Sequence, residues 1–177
     1  NDDVRKLKDL FELKKFKVNE RISPSIIELH SLMQNSPTLI EVCCLYNSVK
    51  CFQFLKQKRA KLSLHDKNEL NVVHYAASGG SSEILNLLSE SGLSLDGSLH
   101  FAALFHKYET FDNLYEKQPD SLDKQIIEYG TILHMCAKSN NLKTMIFCIN
   151  NQVNVNSRNE IFLFTIFIKF LLYLNGV

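Results

Sequence analysis

The sequence predicts an all-α repeat protein. A short motif recurs four times in the 177 residues, and its anchor positions, 41, 74, 100 and 134, are 33, 26 and 34 residues apart. Each anchor precedes a second apolar stretch with spacings of one, three and four residues, which is the period of one helical face. Each unit is therefore predicted to be a short helix, a tight turn and a second helix. Such units bury their apolar faces by stacking on their neighbours.

The amino-acid composition excludes several classes of protein. Hydrophobic residues make up 45% and charged residues 22% of the chain, which is too apolar for a disordered protein. The net charge of +1 gives no global field that would attract nucleic acid. The five cysteines are an odd number without a C-x-x-C pair, and no signal-peptide pattern opens the sequence. We therefore expect a cytoplasmic protein.

Capping residues mark the ends of the predicted helices. Gly80 suits the left-handed position that ends a helix, and Ser81 or Ser82 suits the N-cap of the helix that follows. Ser36 and Pro37 fit an N-cap followed by proline in the first helical position. We expect four helix pairs, near 37–57, 73–91, 98–117 and 131–150.

The repeated unit resembles an ankyrin repeat, whose signature is T-P-L-H-x-A at a period near 33 residues. Residues 131–134 read Thr-Ile-Leu-His and are similar to this signature, with isoleucine in the proline position. Residues 153–156 resemble the G-A-D-V-N that ends a repeat. Residues 39–55 are similar to the divergent first repeat of ankyrin families expanded in some protists. The resemblance implies an ankyrin-repeat solenoid of about four helix-pair repeats, with an N-terminal helical cap and a degenerate C-terminal helix.

The same resemblance divides the chain into segments. Residues 1–34 are expected to form the N-terminal helical cap, and residues 35–160 to form the repeats, at about 35–65, 66–97, 98–125 and 126–158. The cap is predicted to contain two helices. The apolar residues of the first are Leu7, Leu10, Phe11 and Leu13, and those of the second are Ile22, Ile26, Ile27 and Leu29.

Residues 159–177 leave three interpretations open. Twelve of the fourteen residues from Ile161 to Leu174 are apolar, with Thr165 and Lys169 as the exceptions. This run is shorter than the roughly 20 residues that span a bilayer. It is interpreted as a degenerate fifth-repeat helix, as a membrane-associated segment, or as sequence that is not native protein.

The resemblance implies a non-enzymatic protein–protein interaction module that binds a partner protein through a concave surface. The residues expected on that surface come from one hairpin and from the first helices of three units. They are Asp66, Lys67, Asn68, Glu69, Tyr75, Ser78, Phe101, Leu104, Phe105, Met135 and Lys138. Tyr75, Phe101, Phe105 and Met135 would form an apolar strip, and such residues concentrate binding energy at interfaces. Alternatively, the shortened third unit turns Phe101 and Phe105 into the core.

The other chemistry-bearing residues are assigned structural roles. The resemblance implies that the three anchor histidines hydrogen-bond the backbone of a neighbouring hairpin, and the cysteines fit small buried positions. The basic cluster 56–61 is interpreted as a solvated helix end. We expect no enzyme, cofactor or metal site, a monomer, and no nucleic-acid partner. Two alternative functions are a membrane-tethered scaffold anchored through residues 161–174 and a regulatory segment of a larger enzyme.

Overall fold

The computed structural model describes residues 2–13, 17–126, 129–155 and 157. It divides into two compact units, residues 1–95 and 96–177. The helices of the first unit are α1 (Val4–Glu12), a 3-10 helix (Ser31–Asn35), α2 (Leu39–Leu45), α3 (Val49–Gln57), α4 (Val72–Gly79) and α5 (Ser82–Glu90). Those of the second are α6 (Ser98–Leu104), α7 (Tyr108–Lys117), a 3-10 turn (Pro119–Ser121), α8 (Ile132–Ser139) and α9 (Leu142–Asn150). The described residues contain isolated β-bridges and no longer strand. The predicted all-α class and the four helix pairs are confirmed.

Small residues allow the first helices of neighbouring pairs to pack closely within each unit. In the first unit α4 packs on α2, and in the second α8 packs on α6. The small residues of the motif are fully buried in these contacts, namely Ala76, Ala77, Ala102, Ala103, Cys136 and Ala137. Interiors packed at crystal-like density leave no room for longer side chains at these positions.

The residues that follow the left-handed ends of α4 and α8 each tie their helix pair to the preceding pair. Gly80 ends α4 at φ 75°, as predicted, and Asn140 ends α8 at φ 59°. The next residues, Ser81 and Asn141, are buried N-caps of α5 and α9. The Ser81 hydroxyl donates to the carbonyl of Cys44 at 2.7 Å. The Asn141 side-chain amide donates to the carbonyl of Ala103, also at 2.7 Å. The same hydrogen bond therefore recurs in both units.

The N-terminal segment contains one of its two predicted helices. Helix α1 forms, but residues 22–29 contain only a turn at 26–27, so the prediction of a second helix was wrong. Pro24 disfavours helical backbone at the residue before it. The Ser25 hydroxyl accepts a hydrogen bond from the backbone N–H of Ile27 at 3.3 Å, and such local bonds compete with helix formation.

Helix α2 begins two residues later than its predicted cap implies. Thr38 is the N-cap, whereas Ser36 has left-handed backbone at φ 56°. The cause is Glu41, which stands three residues after Thr38 and completes a capping box with it.

The apolar run from Ile161 to Leu174 lies outside the described residues. Among the helices that the structure does describe, none is both long and apolar enough to cross a membrane.

Candidate functional site

The predicted apolar strip is not a surface feature. Tyr75, Phe101 and Met135 are each 0% exposed, and Phe105 is half-buried. Tyr75 and Met135 follow the anchor residue in repeats of regular length, so the shortening of the third repeat does not explain the burial of Phe101. In all three repeats the residue after the anchor lies in the packed interior. These three side chains have structural roles and offer no area to a partner.

The remaining predicted residues differ in exposure. Four are exposed, namely Lys67, Asn68, Glu69 and Lys138, and Leu104 is half-buried. Ser78 is buried, and its hydroxyl donates to the carbonyl of His74 at 2.7 Å within α4. Asp66 is also buried, 5% exposed, although it precedes the exposed residues of the hairpin.

Asp66 is the hydrogen-bonding centre of this hairpin. Its Oδ1 accepts from the backbone N–H groups of Asn68 at 2.7 Å and Leu70 at 2.9 Å. Its Oδ2 accepts from the hydroxyl of Tyr75 at 2.7 Å and from the side-chain amide of Asn35 at 3.0 Å. Hydrogen bonds to an ionised acceptor are the strong ones. One buried carboxylate therefore fixes the loop, α4 and the 3-10 helix together.

The hairpin tip formed by Lys67, Asn68 and Glu69 is held from below while its side chains face solvent. The backbone N–H of Lys67 donates to the carbonyl of Asn35 at 3.3 Å. The Asn68 side-chain amide donates to Asn35 Oδ1 at 3.0 Å. Glu69 takes a left-handed φ of 59°, in the position where the repeat family usually has glycine. These hydrogen bonds hold the backbone of the tip against the 3-10 helix.

An exposed apolar turn lies elsewhere in the same unit. Ile26 is 99% exposed, Ile27 87% and Leu29 91%. Single exposed aliphatic residues are ordinary, but three within four consecutive residues form a local apolar patch. The backbone N–H of Glu28 donates to the carbonyl of Ser25 at 3.3 Å and closes the turn.

Hydrogen bonds from outside the turn hold it in place. The Gln34 side-chain amide donates to the carbonyls of Ser25 at 3.0 Å and Glu28 at 2.7 Å. The Glu28 carboxylate accepts from the backbone N–H of His30 at 2.9 Å and from the hydroxyl of Tyr46 at 3.0 Å. These hydrogen bonds, the His30 bond foremost, lower the pKa of Glu28. The three apolar side chains therefore project from a fixed backbone.

The 3-10 helix joins the turn to the hairpin. Gln34 binds the turn, and the adjacent Asn35 binds the hairpin. We call the exposed residues that this helix supports the turn–hairpin surface. Its members are Ile26, Ile27, Leu29, Lys67, Asn68 and Glu69. The polar residues were among those predicted for the partner surface and the apolar ones were not, although Pro24 and its flanking serines were a signal for a turn.

Comparison with known proteins identifies the fold. No family model and no curated protein matches the sequence. The crystal structure of the human ASB11 ankyrin repeat domain matches 84% of this chain with a TM-score of 0.58 and 18% identity. The chain has the ankyrin-repeat fold. It spans 65% of the length of that domain, and at this identity the likeness shows the fold alone.

The anchor residues cap the first helices of the ankyrin repeats. Nδ1 of His74 and of His134 accepts from the N-cap backbone N–H of its own helix, each at 3.1 Å. In α2, Glu41 Oε2 accepts from the backbone N–H of the N-cap Thr38 at 2.6 Å, so glutamate replaces histidine in an equivalent capping box. His100 differs, because the N-cap of its helix is Gly97, which has no side chain to complete a capping box. Nε2 of His100 lies 2.7 Å from the carbonyl oxygen of Lys124. His100 thus contacts a neighbouring hairpin, as the resemblance implies.

The described residues surround the Cys43 and Cys51 thiols with environments that favour the protonated form. They contain no group of three His, Cys, Asp or Glu side chains that could hold a metal. Burial raises the pKa of the Cys43 thiol to about 12. Burial, with the nearby Asp2 carboxylate, raises that of Cys51 to about 11. A reactive cysteine needs a lowered thiol pKa, so neither is activated.

His74 predicts a pH dependence of stability. Burial lowers its pKa from 6.5 to about 4, with Asp66 opposing the shift. Between about pH 4 and pH 6.5, His74 binds a proton in the unfolded chain and remains neutral in the folded chain. The stability that neutral His74 contributes is therefore complete above about pH 6.5 and decreases as the pH falls toward 4. We expect about 2 kcal/mol to be lost at about pH 5.

His74→Gln isolates this effect, because glutamine also serves as the third residue of a capping box. Urea unfolding at about pH 7.5 and about pH 5 should show a larger loss of stability in the wild type than in His74→Gln. Equal losses in the two proteins would show that His74 titrates normally in the folded state.

Proposed function

We propose that this chain is a non-enzymatic module that binds another protein through the turn–hairpin surface, on the concave side formed by ankyrin hairpins. The ankyrin-repeat fold supports a protein-interaction role, since its repeats present extended binding surfaces. The observation that carries the proposal is the near-complete exposure of Ile26, Ile27 and Leu29 on a turn held by hydrogen bonds.

The composition of the turn–hairpin surface matches that of a protein interface. Its apolar turn can form the desolvated centre of a contact, and the polar tip of residues 67–69 can form part of a solvated rim. Both parts are ordered by Gln34 and Asn35 before binding, which lowers the entropy lost on association. A rigid apolar turn fits a preformed pocket on a folded partner.

The proposal predicts the effect of surface substitutions on partner capture. The double variant Ile26→Ser/Ile27→Ser should capture its partner at least about tenfold less well, because interface energy concentrates in a few apolar anchors. Lys67→Ala/Glu69→Ala should weaken capture less. Both should change the free energy of unfolding by no more than about 0.5 kcal/mol, since the side chains are exposed. Affinity capture from cells, quantified by mass spectrometry, gives the comparison.

Leu13→Ser is the matched control, because Leu13 is an exposed aliphatic residue of the same unit, 64% exposed, outside the surface. It should leave capture unchanged. Undiminished capture by Ile26→Ser/Ile27→Ser would refute the proposed surface.

A further inference from the structure

The first unit has a cationic face that the sequence only partly reveals. Helix α1 packs across α3, with the rings of Phe11 and Phe54 edge to face at 5.8 Å. This packing brings Lys8 to the end of α3, where its Nζ lies 5.7 Å from the Phe54 ring centre and that of Lys58 lies 5.6 Å from the same centre. We define the cationic face by five exposed residues, Lys8, Lys56, Lys58, Arg59 and Lys61.

The second unit has an acidic face on the corresponding helix. Helix α7 is the second helix of the α6–α7 pair, and α3 is the second helix of the α2–α3 pair. Glu109, Asp112 and Glu116 stand at spacings of three and four residues, which places them on one side of α7. Asp120 continues the series in the 3-10 turn that follows. All four side chains are exposed, and we call them the acidic face.

Neither face takes part in an ion pair among the residues that the structure describes. The ion pairs within 4.0 Å include Lys6–Asp3 and Lys124–Asp96, and neither contains a residue of the two faces. Lys56 instead donates to the neutral Ser91 hydroxyl at 2.7 Å. Each face therefore presents its charge to solvent, where an opposite surface can bind it.

We propose that the cationic face of one copy of this chain docks on the acidic face of a second copy. The two faces lie in different units, so the contact joins unlike surfaces of the two copies. Charge complementarity of this kind speeds encounter and fixes orientation. This contact uses none of the residues of the turn–hairpin surface.

A second copy fits the cationic face better than a nucleic acid does. Nucleic-acid binding without sequence preference combines a basic surface with aromatic side chains on which bases stack. The aromatic rings beside this face are unavailable, because Phe54 is 9% exposed and Phe11 is half-buried against it. The complementary surface that the structure does show belongs to this same chain.

Sedimentation of the full chain at increasing concentration tests the proposal. Exposed ion pairs contribute only about 0–1 kcal/mol each, so protein concentrations up to about 1 mM are needed. Association should be seen at about 0.05 M salt and be weakened at least about tenfold at about 0.5 M, because salt screens exposed charges.

Charge-reversal variants make the test specific. Lys58→Glu/Lys61→Glu and Asp112→Lys/Glu116→Lys should each remain monomeric alone, since each has lost one face. Mixed in equal amounts, they should form a one-to-one heterodimer through the two faces that remain. Glu83→Lys/Glu90→Lys is the control: it makes the same charge change as the second variant at exposed residues of α5, and it should associate like the wild type.

Four outcomes would overturn the proposal. The first is a wild type that stays monomeric at about 1 mM and low salt. The second is a mixture of the two variants that remains monomeric. The third is an α5 control that loses association as completely as the α7 variant does. The fourth is a single-stranded RNA probe that binds the wild type while self-association persists, and that does not bind Lys58→Glu/Lys61→Glu. This result would reassign the cationic face to nucleic acid.

Discussion

Gly79→Ala is expected to destabilise the chain by about 3 kcal/mol or more. Alanine in place of glycine ordinarily stabilises a helix by up to about 1 kcal/mol, so the sign should be reversed here. A β-carbon on Gly79 would lie 2.6 Å from the carbonyl oxygen of Cys44 and 2.7 Å from the carbonyl carbon of Leu45, with the Leu45 oxygen nearby as well. These are backbone atoms of α2, so no side-chain rotation relieves the clash. Urea unfolding measures the loss.

Gly92→Ala is the control for this substitution. A β-carbon on Gly92 meets nothing within 4 Å, and only its left-handed φ of 82° opposes the change. That strain costs about 1 kcal/mol. A Gly79→Ala variant as stable as the wild type would show that α2 and α4 do not approach at this point.

Asp66→Ala should have the second large effect, a loss of about 3 kcal/mol. The substitution removes the acceptor of four hydrogen bonds and leaves the buried backbone N–H of Leu70 without that acceptor, while the Tyr75 hydroxyl keeps the carbonyl of Leu32 at 3.0 Å. The hairpin tip should lose its fixed conformation at the same time. Urea unfolding reports the stability, and hydrogen exchange reports the backbone N–H groups of Asn68 and Leu70.

Lys67→Ala provides the comparison, because its side chain is exposed and its removal should change stability by no more than about 0.5 kcal/mol. Asp66→Asn, which keeps one oxygen acceptor, should lie between the two. Unchanged exchange at Asn68 and Leu70 in Asp66→Ala would show that the carboxylate does not organise the hairpin.

The helix pairs could be predicted because their determinants are local. The small residues Ala76 and Ala77, the left-handed Gly80 and the periodic apolar residues of α5 all lie within one repeat, and each favours the same structure. The capping box of Glu41 is equally local, although the prediction placed the cap at Ser36 because a serine before proline is a common N-terminal signal.

The apolar half of the turn–hairpin surface could not be predicted from local pattern. The spacing of Ile22, Ile26 and Leu29 is that of a helix face, so periodicity favoured a helix there. The turn is instead held by Gln34 and Tyr46, which are distant in sequence. Periodicity alone does not show such bonds.

The polar residues were expected there because residues 66–69 resemble the hairpin between ankyrin repeats, although Asp66 itself is buried. The residue after each anchor was assigned to the wrong environment. Tyr75 and Met135 are fully buried, in helices that pack on the first helix of the preceding pair, α4 on α2 and α8 on α6.

Photo-crosslinking in cells tests the turn–hairpin surface most directly. A benzophenone amino acid would replace Ile27, Asn68 or, as the control, Leu13, all of which are exposed residues of the first unit. Positions 27 and 68 should crosslink to the same protein, and position 13 should not. Crosslinks to unrelated proteins at 27 and 68, or equal crosslinking at 13, would contradict a single binding surface built on the 3-10 helix.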